Sequence, residues 1–103
     1  MQINKLQLIF IIKIIIYFIN NYIYIYFSKL PDGYALADIE EDLEEILGEA
    51  GEVVGSGLGA SGGNIDIELF EDTDVLEDIK SYLLACGFEK DTILDIDGER
   101  ETL

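Results

Sequence analysis

Gly57-Leu58-Gly59-Ala60-Ser61-Gly62 spells out GxGxxG, the spacing with which a glycine turn brings backbone N–H groups against a pyrophosphate. That chemistry depends on the next element of the chain, because the phosphate is held by the unpaired N–H groups of a helix that starts where the motif ends. Residues 64–70 read instead as a strand, and the surrounding carboxylates would repel an anionic ligand. The glycines are therefore read as a flexible or bulged hairpin connection, and no cofactor is expected.

Two acidic groups, Glu71, Asp72 and Asp74, then Asp95, Asp97 and Glu99, offer the hard oxygen donors that Ca²⁺ prefers. Neither keeps the twelve-residue EF-hand spacing: Gly98 comes directly after the second aspartate of Asp95-Ile96-Asp97, and no glutamate closes a loop. They read as solvated acidic surface, and no metal site is assigned. Paired carboxylates also do acid–base work, as in glycosidases, but among 22 acids no pair stands out. The chain has no histidine, which removes the usual neutral-pH proton carrier and the usual activator of the single cysteine, Cys86. Cys86 falls on the apolar stripe of a helix and reads as a small core residue. No catalytic residue is nominated, and the chain is not expected to be an enzyme.

The residues with the clearest binding chemistry are Tyr22, Tyr24 and Tyr26, which alternate with Ile23, Ile25 and Phe27 and so share one face of a strand. Asp66, Glu68 and Phe70 alternate in the same way with Ile65, Ile67 and Leu69. If the two strands pair, tyrosines and carboxylates line one open sheet face. Tyrosine suits interfaces because it joins apolar area to a hydroxyl and loses little rotamer entropy. Aromatic sheet faces that bind RNA are basic, whereas this one is anionic, so a cationic protein is the partner expected. The bland alternative is that the tyrosines merely suit a strand or pack beneath the N-terminal residues.

The elements that would position this face are legible from periodicity. After Leu30-Pro31-Asp32-Gly33, the apolar residues Leu36, Ile39, Leu43, Ile46, Leu47 and Ala50 recur at helical spacing, with Glu40, Glu41, Asp42, Glu44 and Glu45 opposite. That helix ends near Gly51. Glu52-Val53-Val54-Gly55 is a short strand candidate that would pair antiparallel with residues 64–70. A second helix presents Val75, Ile79, Leu83 and Cys86, capped by Thr73 or by Asp74 with Glu77 and closed by Gly87. Residues 92–97 form the last strand, with Asp97-Gly98 as its turn. With residues 22–27 in front, the order is strand, helix, strand, strand, helix, strand. The chain is thus expected to be an α+β protein with a ferredoxin-like βαββαβ sandwich, two helices on one face of an antiparallel sheet.

Charge divides the chain. All 22 acidic residues lie at or beyond Asp32, where the only bases are Lys80, Lys90 and Arg100, a balance of −19. Such a body repels phosphates, and nucleic acid is not expected as a partner. Residues 1–20, by contrast, form a hydrophobic leader ahead of an acidic domain spanning 21–103. The leader stays open to three readings: an extra strand, a membrane anchor running through residues 6–27, or a non-authentic extension of the kind AT-rich codons encode. Lys13 within the apolar run, the Asn20-Asn21 interruption and the strand-like tyrosine repeat argue against the anchor. Without residues 22–27, about 14 helical residues reach about 21 Å, short of the roughly 30 Å of a bilayer core.

These observations lead to an expected function: a small, acidic, single-domain protein-binding module that engages a basic protein, as an inhibitor or immunity protein would. The alternative is an acidic domain tethered to a membrane by the leader. The expected location is cytoplasmic, or membrane-associated under the alternative; the oligomeric state stays open.

Overall fold

The computed structural model describes residues 2–18, 21–70 and 74–103. The elements run α1 (Lys5–Phe18), β1 (Asn21–Phe27), α2 (Leu36–Leu47), β2 (Gly51–Gly59), β3 (Gly62–Leu69), α3 (Val75–Cys86), β4 (Ile93–Ile96) and β5 (Glu99–Thr102). A single 3₁₀ turn, Gly48–Ala50, joins α2 to β2. The chain is an α+β protein whose five strands stand in the order β2-β3-β1-β4-β5, every neighbouring pair antiparallel.

β1 lies inside the sheet because its period-two pattern gives it something to bury on one face. Ile23 stands opposite Ile67 of β3 and Ile96 of β4, and Ile25 opposite Ile65 and Leu94. Ile23, Ile25 and Phe27 are buried with Ile65, Ile67, Leu69 and Leu94, and onto this layer pack Ile39, Leu43 and Leu47 of α2 and Ile79 and Leu83 of α3. The helices share a second link: the Tyr82 hydroxyl donates to Asp42 Oδ2 at 2.6 Å. Burial, then hydrogen bonding to Asp42 and to Cys86, pushes the Tyr82 hydroxyl far up from its ordinary range and keeps it a neutral donor.

The helix ends obey local chemistry in part. Ala35 precedes α2, and Asp38 reaches back to accept its N–H at 2.8 Å, a favourable place for an anion. Gly87 closes α3 in the left-handed conformation, as its position anticipates, with φ of 104° and its N–H on the carbonyls of the last turn. The cap anticipated at Asp74 with Glu77 does not form. Asp74 has ψ of 16° rather than the extended value that folds a side chain back over the first turn, and it makes no capping hydrogen bond. Thr73, the other cap candidate, lies outside the described residues.

Three elements depart from expectation. β2 runs to Gly59, so Gly57 and Gly59 are strand residues, and the hairpin closes tightly through Ala60 and Ser61 between the paired Gly59 and Gly62. Gly62 has φ of 133°, and a Cβ there would strike the Phe27 carbonyl oxygen, which accounts for a glycine at this corner. The bulge lies earlier, between Val53 and Gly55. β5 is absent from the expected order, since Glu99-Arg100-Glu101-Thr102 carries no apolar alternation. Asp97 and Gly98, with φ of 52° and 91°, make the tight reversal that lays it beside β4. The leader, finally, is helical over Lys5–Phe18 rather than an extra strand, and residues 6–27 do not form one helix. Asn4 and Gln7 cap α1 reciprocally, the Asn4 N–H donating to Gln7 Oε1 at 3.0 Å and the Gln7 N–H to Asn4 Oδ1 at 2.8 Å.

Candidate functional site

The face of the sheet opposite α2 and α3 carries the side chains that alternate away from the core. Tyr24 stands at its centre, paired across the strands with Asp66 of β3 and Asp95 of β4; beyond these come Gly55 of β2 and Arg100 of β5. On one side of this row Tyr22 opposes Glu68, which in turn opposes Glu52. On the other side Tyr26 lies between Asn64 and Ile93. Tyr22, Tyr24, Tyr26, Asp66 and Glu68 therefore share one surface, as their spacing anticipates. Phe70 lies one residue beyond the end of β3 and is exposed, its N–H donating to Ala50 O at 2.7 Å.

The tyrosines are partly open, Tyr22 at 37% and Tyr26 at 38% exposure, with Tyr24 more enclosed between them. Tyr22 and Tyr24 stack nearly parallel, 7° apart with ring centroids 6.0 Å from each other. Burial between neighbouring strands, and then the Asp66 carboxylate ahead of the remaining neighbours, pushes the Tyr24 hydroxyl up from its ordinary value. It is a neutral hydrogen-bond donor and acceptor, not a base. Asp66 Oδ1 accepts from Asn64 Nδ2 at 3.1 Å. Gly55 and Gly57 let the β3 side chains lean across β2: a Cβ on either would stand 3.2 Å from Asp66 Oδ2 or 3.1 Å from Asn64 Oδ1.

One member of this face, Arg100, escapes sequence reasoning because β5 does. Arg100 Nε donates to Asp95 Oδ2 at 3.2 Å, and the same guanidinium lies over the Tyr26 ring, 5.6 Å from its centroid. A planar cation thus rests on an aromatic face with a carboxylate at its edge. The Asp-Gly turn before an acidic and basic run was the signal that could have located it.

Two of the acidic residues read for cations, Asp95 and Asp97, are otherwise engaged. Asp95 Oδ1 accepts the Gly98 N–H at 2.9 Å, and Asp97 Oδ1 accepts the Tyr22 N–H at 3.2 Å, so both carboxylates tie down the β4–β5 hairpin. Of the first group, Glu71 and Asp72 lie outside the described residues. No grouping of three or more metal-ligating side chains occurs among the described residues. Where the GxGxxG motif ends, β3 begins, so no helix terminus faces it. Cys86 is half-buried and forms no disulfide.

A second exposed surface belongs to α1. Leu6, Leu8, Ile9, Phe10, Ile11 and Ile12 are all exposed, on every side of the helix. No helix among the described residues is long and apolar enough to cross a membrane. Compared with models of protein families, with curated proteins and with solved structures, the chain matches none.

Proposed function

We propose that this chain is a small acidic protein-binding module without catalysis, whose open sheet face engages a basic protein, in the manner of an inhibitor or immunity protein. The observation that carries this reading is the way the face already holds Arg100. Its guanidinium lies over Tyr26 with Asp95 at its edge, while Tyr22, Tyr24, Asp66 and Glu68 offer a similar combination of ring and carboxylate next to it. Arginine and lysine side chains of a partner suit such a surface, and the charge of the body would speed their approach. We read the scaffold beneath it as a ferredoxin-like sandwich widened by β5 and preceded by the helical leader; that fold name carries no function by itself.

The test is affinity capture from the native cell by the full chain, then titration of the captured protein. Asp66→Lys with Glu68→Lys points away from the core and is expected to leave the fold intact while weakening binding at least about tenfold, or about 1.4 kcal/mol. Glu49→Lys with Asp91→Lys makes the same change of charge on exposed positions elsewhere and should weaken it far less. Equal losses from the two pairs would reduce the interaction to overall charge and remove the sheet face as the site.

A second reading rests on residues 6–12 of α1, an exposed and mostly apolar stretch, which is suited to lipid or to the interior of another protein. Under it, the full chain floats with phosphatidylcholine vesicles in a density gradient, and Leu8→Asp with Phe10→Asp abolishes flotation. A full chain that stays at the bottom of the gradient would remove the lipid reading.

A further inference from the structure

We propose that the outer edge of β2, with the groove between it and α2, takes an extended lysine- or arginine-bearing segment of a protein partner as an added strand. The partner is basic, which rests on the function proposed for the sheet face, but it sits on a different surface.

The two edges of the sheet are unlike. β5 is short and carries Glu99, Arg100 and Glu101, the kind of charged edge that discourages further pairing. β2 is nine residues long and among the described residues pairs with β3 alone, and from Val53 to Gly63 it and its hairpin hold no charge and no proline. Its outward N–H and C=O groups are a template for another strand. Beside it lies a groove of about 480 Å³, bounded by Glu40, Glu41 and Glu44 of α2 and by Val54, Gly55 and Ser56 of β2.

One contact shows what this edge accepts. The Val53 N–H, at the edge, donates to Glu44 Oε1 at 2.7 Å, so a carboxylate oxygen from α2 stands where the carbonyl of an added strand would stand. The bulge next to it leaves Val54 46% exposed beyond the bonded position. A strand laid along β2 would send alternate side chains towards α2, where Glu40 and Glu41 present carboxylates. Basic residues at those positions fit, and acidic ones are repelled. A second copy of this chain is disfavoured by the same charges, since each copy carries −16 overall.

The probe is a synthetic Lys-Val repeat as long as β2, titrated into the full chain and monitored by amide NMR and hydrogen exchange. The expected result is saturable binding, with exchange slowed about tenfold or more at the outward amides of residues 54–58. N-methylation of alternate peptide amides keeps the charge but blocks strand pairing, and is expected to abolish binding. Glu40→Gln with Glu41→Gln is expected to weaken it about fivefold or more. Asp66→Lys with Glu68→Lys should leave it within about twofold, which separates this site from the sheet face. Binding that survives N-methylation, or that protects β1 instead of β2, would overturn the proposal. So would self-association of the peptide-free chain through β2, which would make a second copy the occupant. Loss of the captured partner in the sheet-face variant, with peptide binding retained, would leave both proposals standing on separate surfaces.

Discussion

Ile25→Ala is expected to destabilise the fold by about 2–5 kcal/mol, the range for truncating a buried aliphatic side chain where the surroundings cannot collapse. Ile25 is 0% exposed and lies on an inner strand, opposite Ile65 on one side and Leu94 on the other. Strands on both sides and helices above leave no element free to close the space. Tyr22→Ala, on the other face of the same strand, removes a ring that is partly open and stacked on Tyr24, and should cost about 1 kcal/mol. Equilibrium denaturation by urea reads both. Domains of this size have only about 5–15 kcal/mol in hand, so Ile25→Val, expected to cost about 0.5–1.5 kcal/mol, supplies a graded arm should the alanine variant unfold. Equal losses at Ile25 and Tyr22 would mean that the two faces of β1 are not core and surface.

Raising NaCl from about 0.1 M to about 1 M is expected to stabilise the full chain, as the screening length falls from about 10 Å to about 3 Å. The reason is the imbalance of charge from Asp32 onward, where 22 acidic residues stand against three bases. Lys29–Glu89, Lys80–Glu101 and Arg100–Asp95 approach within 4 Å, and the first is a loose contact at 3.8 Å between exposed side chains. Glu40, Glu41, Glu44 and Glu45 lie along one helix, where carboxylates four residues apart repel. If screening recovers about 1 kcal/mol, the midpoint of thermal unfolding rises by about 4–8 °C. Calorimetry of the full chain across this range checks it. A flat or falling midpoint would mean that the acids are held by bound ions or by pairing, and the open anionic surface invoked for a basic partner would not exist.

The outward face was legible because it needs only parity. Once residues 22–27 and 64–70 alternate, the tyrosines, Asp66 and Glu68 must oppose the isoleucines wherever the strands go. β2 was legible only at its start, because Gly55, Gly57 and Gly59 have no side chains to show a period. Their extended conformation comes from pairing with β3, a contact that no local window contains. Arg100 was missed for a similar reason: its strand is an edge with no buried face, so beyond the Asp-Gly turn it carries no apolar pattern, and its meeting with Asp95 and Tyr26 depends on that turn and two strand registers at once.

By itself, then, the sequence determined what short-range periodicity and composition govern. It set the two amphipathic helices of the body, the parity of β1 and β3, the Asp97-Gly98 reversal and the concentration of negative charge beyond Asp32. The tertiary structure alone decided which strands lie inside the sheet, that β2 stands at its edge, and that α2 brings Glu40, Glu41 and Glu44 alongside it. A strand's hydrogen-bonding groups are the same whatever its side chains, so pairing order is chosen by how the apolar faces pack over long sequence separations, and the free edge is whatever that packing leaves unpaired.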